Sequence, residues 1–407
     1  MTAVDSLGPG TASAVPRTVK GLSLVSLFND FASEMVYPLL PAFVTGTLGG
    51  GPFILGLLDG AADLTSSALK WISGRLADRP GWRRPLILGG YATAVLVRPL
   101  IAVAGSAWQV VGFRVIDRVG KGIRTPPRDA LIAEVTPKSL RGRAFGFHRG
   151  ADHFGAVVGS LAAWFFLREG VEVRRVIGWS AIPGLVAVLV LAVVLRGAGS
   201  RESGVRSQES VLEPSSAAPN SQPQAPDSFW PPVLALTALT FFRLPETLLI
   251  LRLQDRGVAV VAIPLVWAGL HVVRSASSYP GGWLTDRVGA RVMVTAGGLL
   301  FAAMAVALGG EIGPGAAIGF FLVLGLVAGL TESGERAMVA SLAPIRTGRG
   351  FGTYHALVGV AALPAGLLFG ALYQGQSGQT ALWASAAGMV AAVVVWLMVL
   401  PAGEGRR

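Results

Sequence analysis

Gly74-Arg75-Leu76-Ala77-Asp78-Arg79-Pro80-Gly81-Trp82-Arg83-Arg84-Pro85 is a short, strongly basic run between two apolar stretches, 52–73 and 85–104. Each stretch is long enough to cross a bilayer, which takes about 20 mainly apolar residues. A loop this short and this charged reads as a tight connection on one membrane face. The run also has an echo: Gly282-Trp283-Leu284-Thr285-Asp286-Arg287-Val288-Gly289 repeats the pattern 208 residues after Gly74. Two more echoes follow in the same order. Pro127-Arg128-Asp129-Ala130, up to Pro137, lines up with Gly334-Glu335-Arg336-Ala337, up to Pro344. Arg143-Ala144-Phe145-Gly146 returns as Arg349-Gly350-Phe351-Gly352. Three ordered echoes predict a duplicated chain whose halves share one orientation.

Working outward, spans of crossing length recur at 20–44, 52–73, 85–104, 108–130, 144–166, 175–195, 231–252, 258–281, 291–310, 315–343, 350–372 and 379–401. Composition agrees. The 407 residues are 52% hydrophobic and only 14% charged, with mean hydropathy +0.59; a soluble protein carries about 25% charged residues. The fold expected is an all-α membrane protein of about twelve transmembrane helices in two pseudo-symmetric six-helix bundles. The stretch 197–229 is rich in Ser, Pro, Gln and Glu without periodicity and reads as a flexible linker. The expected organisation is a tail (1–19), a first bundle (20–196), the linker (197–229), a second bundle (230–401) and a tail (402–407).

Net charge +11 would suggest nucleic acid in a soluble domain, but here its source is topological. Lys and Arg gather in cytoplasmic loops of membrane proteins. They crowd the loops after spans two and four, both ends of the chain and the linker. The alternate loops are almost free of them, apart from Arg168, Arg174, Arg175, Arg252 and Arg256, which sit among acids. Both termini are therefore expected in the cytoplasm and the chain in the inner membrane, with no nucleic-acid partner. There is no cysteine, so disulfides, thiolate metal sites and Cys nucleophiles are excluded. Residues 1–18 do not read as a cleavable signal peptide.

The run 74–85 resembles, almost position by position, the loop between helices two and three of the major facilitator superfamily, and 282–289 its weaker copy between helices eight and nine. Arg114-Val115-Ile116-Asp117-Arg118-Val119-Gly120 resembles the family's helix-four motif, with Asp117 and Arg118 in place of its Gln and Gly. The resemblance covers about residues 20–400. It implies a secondary transporter working by alternating access, with helices one, four, seven and ten lining a central cavity. It also implies a gating latch at Gly74, Asp78, Arg79 and Gly81, with Arg128 and Arg143 as candidate partners of Asp78 and with Asp286 and Arg287 as the second copy.

A charge at mid-membrane costs about 2.5–3.5 kcal/mol on insertion scales, so such residues face protein or water. Asp30, Glu34 and Tyr37 share one face of the first span, while Arg114, Arg118 and Lys121 form a stripe on the fourth, beside Asp117. Arg243 and Glu246 lie on the seventh, His271 on the eighth and Glu332 on the tenth. Asp30 and Glu34, expected to face the Arg114/Arg118 stripe, are the candidates for proton coupling. The others are candidates for the substrate cavity. For Arg149 with Asp152, and Arg243 with Glu246, an ion pair within one helix is the plainer expectation. His148 and His153 are five apart and miss metal spacing, and no metal or cofactor is expected.

The functions considered are proton-coupled export of small organic molecules and, alternatively, transport of organic or phosphate-type anions by the Arg/Lys-rich cavity. There is no phosphate-binding Gly-x-x-x-x-Gly-Lys-Ser/Thr loop and no hydrolase motif, so an enzyme is not expected. The expected partners are a small-molecule substrate, protons and the lipid bilayer, with the chain acting as a monomer.

Overall fold

The computed structural model describes residues 15–77, 79, 81–137, 140–205, 229–342 and 347–399. Among them every element is helical. α1 is Arg17–Val36, carried on by short irregular turns to Thr47; α2 is Pro52–Ala77; α3 is Arg83–Val97 with a tight continuation Arg98–Val103. α4 is Ala107–Glu134, α5 is Arg141–Arg168, and α6 comprises Val173–Trp179 and Ala181–Val205. α7 comprises Trp230–Phe241 and Glu246–Asp255; α8 is Ile263–Val288, α9 Ala290–Gly309, α10 Pro314–Leu342, α11 Thr347–Gly375 and α12 Gly378–Val399. Residues 206–228, most of the expected linker, lie outside the described residues, as do Asp78 and Pro80.

Nine of these helices are long and apolar enough to cross a membrane on length and composition alone. The three that fall short, α1, α2 and α4, are the helices carrying Asp30 and Glu34, Asp59 and Asp63, and the basic stripe from Arg114 to Arg128. Charge has displaced apolar character where it is needed inside the bundle. Elsewhere, large apolar side chains such as Leu96, Val103, Leu189 and Val193 are exposed, as lipid-facing positions are.

The starts of α1 and α7 and the ends of α2, α4 and α6 share one face, here the terminal face. In the first half α1 packs on α5 and α6, and α4 on α2 and α3; in the second, α8 packs on α10, and α9 on α10 and α12. The halves meet where α2 lies along α11 and α5 along α8. The α2–α11 seam is built backbone on backbone. A Cβ on Gly56 would stand 2.0 Å from the Gly366 carbonyl oxygen, and one on Gly366 would stand 2.1 Å from that of Gly56. Gly155 and Gly159 let α5 approach α1 in the same way, each 2.3 Å from a carbonyl oxygen, of Leu27 and Phe31. Small residues that admit such approaches are the usual glue between helices in lipid. Gly81 and Gly289, equivalent across the repeat, both take positive φ (82° and 89°) where the chain turns between helices.

The main apolar core joins both halves, from Val36, Leu40 and Phe43 on α1 to Leu248 and Leu251 on α7. A second cluster, around Leu22, Tyr91 and Leu191, contains first-half residues alone. The halves are thus sealed together toward the face opposite the termini.

The seam has a measurable consequence. Gly366→Val overpacks a backbone contact and should lower the stability of the purified protein by about 1–3 kcal/mol. Gly319→Val, on α10 with open space at its Cβ, should leave the thermal unfolding curve in place.

Candidate functional site

A cavity of about 560 Å³ lies between the halves. α1 contributes Asp30, Glu34 and Tyr37; α2 Asp59, Asp63 and Lys70; α4 Arg114, Arg118, Lys121, Arg124 and Arg128. α5 adds Arg149, Asp152 and His153, α7 Arg243 and Glu246, α8 Trp267, His271 and Arg274, and α11 only apolar Val358, Ala362 and Ala365. It runs from Tyr37, Asp59 and Glu246, beneath the sealed end, toward Ser26, Thr125 and Arg128 near the terminal face.

Two proline-marked breaks shape its sealed end. α1 loses regular geometry at Tyr37-Pro38, and α7 is interrupted between Phe241 and Glu246, ahead of Pro245. The two breaks fall at corresponding positions of the repeat, the pattern that marks binding sites in transporter folds. An interrupted helix exposes unpaired backbone groups. The broken end at Phe242 gives its carbonyl to Ser385 Oγ at 2.6 Å. At the restart, Asp59 of the other half accepts from Thr247 N–H at 3.1 Å and Thr247 Oγ1 at 2.8 Å. Asp59 also accepts from the Tyr37 hydroxyl at 3.1–3.2 Å. A first-half carboxylate thus caps a second-half helix, where the helix dipole favours negative charge. The residue that Asp59 caps lies 188 residues away in sequence, so no local pattern announces the contact.

Glu34 also crosses the cavity. Its Oε2 accepts from Trp267 Nε1 at 2.8 Å and lies 3.7 Å from His271 Nε2, both on α8. Arg114 and Arg118 remain within electrostatic reach of Glu34, though its contacts are on α8. Asp30 accepts from Asn29 Nδ2 at 3.0 Å and lies near Lys121 and Arg124, farther along the same helix.

Arg114 stacks over Tyr37 at 4.8 Å and turns its guanidinium to Asp117 at 3.4 Å. Asp117 does not line the cavity, contrary to expectation. It is buried behind α4, pairing with Arg98 at 2.8 Å, while Arg98 also donates to the Asn29 carbonyl. Three helices are locked by this Arg98–Asp117–Arg114 group. Arg98 escaped the sequence reading, although an arginine in an apolar span, next to Pro99, was signal enough.

Neither pair expected within one helix forms. Arg243 goes to Glu335 on α10 at 3.5 Å, and Glu246 receives Arg274 of α8 at 2.8 Å. Asp152 faces His148 at 3.8 Å. α10 contributes no cavity-lining residue among those described, which corrects both the four-helix lining and the place of Glu332. Glu332 is partly exposed against Arg336 at 3.4 Å, and Glu335 is held from behind by the Tyr354 hydroxyl at 2.9 Å. The close packing of α2 on α11 and of α5 on α8 brings those four helices to the cavity instead.

Of the gating residues, Asp78 lies outside the described residues. Arg128 is engaged by Asp129 at 2.8 Å and Ser26 at 3.3 Å, Arg143 and Asp286 are exposed, and Arg287 stacks on Trp283 at 3.8 Å. Arg79 and Gly74 lie at the end of α2, where the Arg79 amide donates to Leu76 O. Arginines that broke the loop-charge asymmetry serve as helix ends. Arg174 donates to the carbonyls of Ala102 and Ala104 closing α3, and Arg252 to those of Leu308 and Gly309 closing α9. Arg256 completes that corner and, by its hydrogen bond, holds the Glu311 carboxyl below its usual range.

A bundle of helices long and apolar enough to cross a membrane, closed around a charged cavity, is the architecture of a transporter. The model of the Major Facilitator Superfamily matches residues 22–273, and the chain belongs to that superfamily. An uncharacterized MFS-type transporter of Methanocaldococcus jannaschii is 27% identical over 393 residues, covering 94% of each chain. The multidrug resistance protein MdtH of Aeromonas hydrophila subsp. hydrophila is 31% identical over 157 residues, 39% of each chain. Among solved structures, an inward-facing, unoccupied bacterial homolog to the human lysosomal transporter Spinster superposes with TM-score 0.65 at 17% identity, covering 96% of each chain. The fold is therefore shared widely at low identity.

Two predictions follow from this geometry. Asp117→Ala leaves Arg98 and Arg114 buried without a countercharge and should cost about 3–5 kcal/mol, read as a large drop in thermal unfolding temperature. Asp59→Ala removes a charge-assisted helix cap worth roughly 1.5–3 kcal/mol, so the sealed end should open roughly ten- to a hundredfold more often. Because the chain has no cysteine, a single Leu40→Cys, at a position fully buried in that seal, reports this as faster labelling by a water-soluble maleimide.

Proposed function

We propose that this chain is a proton-coupled secondary transporter that exports small organic molecules by alternating access. In this reading it sits in the inner membrane as a monomer with both termini cytoplasmic. Residues 197–229 tether the bundles 20–196 and 230–401, and the tails 1–19 and 402–407 are cytoplasmic. The present cavity is then open toward the cytoplasm and sealed toward the outside. The named partial relative, a multidrug resistance protein, supports the exporter reading.

The observation that carries the proposal is Glu34 spanning the cavity to Trp267 and His271. An ionised carboxylate is a strong acceptor for the indole N–H, with His271 beside it at 3.7 Å, so the ionised form ties α1 to α8. A proton on Glu34 removes the charge and weakens both contacts, loosening one half from the other. Occupancy by a proton thereby shifts the balance between the two openings, which is the requirement for coupling. Asp30, one helical turn nearer the terminal face and close to Lys121, is a second proton carrier. The loop 74–85, with Asp78 and Arg79, and its copy at Asp286 and Arg287 are proposed to latch the terminal face when it closes, with Arg128 and Arg143 as partners.

In proteoliposomes, Glu34→Gln and Asp30→Asn should each cut pH-gradient-driven flux at least tenfold. Substrate counterflow, which needs no net proton movement, should survive. Full pH-driven flux in both variants would overturn the proton assignment.

A further inference from the structure

The charges around the cavity are unevenly matched. Arg274 is taken by Glu246, Arg243 by Glu335, Arg128 by Asp129 and Arg114 by Asp117. Five cavity-lining cations remain: Lys70 on α2, Arg118, Lys121 and Arg124 on α4, and Arg149 on α5; Arg124 is turned to the Tyr91 ring and the Gly90 carbonyl, which leaves the other four to the open space. None has a carboxylate within 4.0 Å among the described residues. They are neighbours. Lys70 is within electrostatic reach of Arg118 and Arg149, and Lys121 of Arg118 and Lys70. The carboxylates that act on them include Asp63, Asp30 and Glu34, with Asp59 and Asp152 lining the same cavity, so acids surround these cations but none is in contact with them. Nε of Arg118 is buried with no hydrogen-bond partner. Lys121 and Arg149 are exposed to the open part of the cavity, where a solute can reach them.

Like charges held together with no counterion in contact are costly inside a membrane. Guanidinium and ammonium groups converging on one space match an oxyanion, which a guanidinium binds through two parallel N–H donors. A cavity of about 560 Å³ is also in the range that holds small organic ligands, about 300–1,000 Å³. We propose that the transported molecule carries an anionic oxygen group, a phosphate or carboxylate, which docks among Lys70, Arg118, Lys121 and Arg149 while its organic part reaches toward Tyr37 and Trp267. This deepens the transport reading above by naming the substrate class, and it rests on that reading only for the word transported.

The test uses purified full-length protein at constant ionic strength, with phenyl phosphate, benzyl alcohol as its neutral counterpart, and dihexanoyl-phosphatidylglycerol as the same phosphate on a lipid. Calorimetric titration should show phenyl phosphate binding at least tenfold tighter than benzyl alcohol. Arg118→Gln and Lys121→Gln should each weaken it at least tenfold, and Arg175→Gln, at an exposed arginine that does not line the cavity, by less than threefold. If Arg118→Gln does not fold, Lys121→Gln carries the test, since Lys121 is exposed. Binding confined to the phosphatidylglycerol, with the same dependence on Lys121, supports the subsite and assigns its source to lipid. No binding of either phosphate, equal binding of the alcohol, or equal sensitivity to Arg175→Gln overturns it. The two readings fail separately. Cation-dependent binding without flux in proteoliposomes sinks transport and leaves the subsite, whereas organic flux untouched by Lys121→Gln sinks the subsite and leaves transport.

Discussion

An ionised side chain cannot be left alone in hydrocarbon: it must find a countercharge, a set of donors or water. That constraint organises this molecule. Arg98, Asp117 and Arg114 satisfy one another where no solvent reaches, and in doing so fix α3 and α4 against α1. With Arg114 anchored from behind, its guanidinium stacks on Tyr37, whose hydroxyl is then set to donate to Asp59. The chain of contacts ends on the α7 restart at Thr247, in the other half. A buried ion pair in the first bundle is thus linked, side chain by side chain, to the contact that seals the two bundles together.

The seal itself combines two kinds of force. Apolar burial supplies its bulk, through Val36, Leu40 and Phe43 against Leu248 and Leu251. Polar contacts supply its selectivity of geometry: Asp59 recognises the exposed amide of a broken helix, and Glu34 recognises an indole N–H. Only the polar contacts respond to protonation or to a competing ligand. The acids sit where they can act on the apolar seal without being part of it.

The helical, duplicated fold was legible in the sequence, because apolar length, loop charge and three ordered echoes each report on it independently. The cavity was legible as a set of charges. Asp30, Glu34, Tyr37, Arg114, Arg118, Lys121, Arg243, Glu246 and His271 all line it. Pairing was not legible. Spacing within a helix suggested Arg243 with Glu246, yet α8 and α10 offered each a better partner across a helix boundary. Asp117 and Glu332 were misplaced for a related reason: position along a span does not say which face turns to the cavity. The α2–α11 approach decided that α11 and α2 would line the space in place of α10. It depends on glycine meeting glycine at Gly56 and Gly366, a match invisible until both helices are in place.

That glycine seam has a mechanical meaning. Most helix contacts interlock through side chains, so moving one helix past another requires rotamers to repack together, and the motion jumps between discrete arrangements. Where Gly56 and Gly60 lie on Gly366 and the backbone around Leu363, few side chains stand in the way. Parting there loses dispersion contacts in proportion to the length peeled, and no rotamer has to cross a barrier first. In the alternating-access reading proposed above, the seam would act as a pivot without detents. Discreteness in that motion would then come from the ionic and capping contacts at Glu34 and Asp59, with the axis itself left smooth.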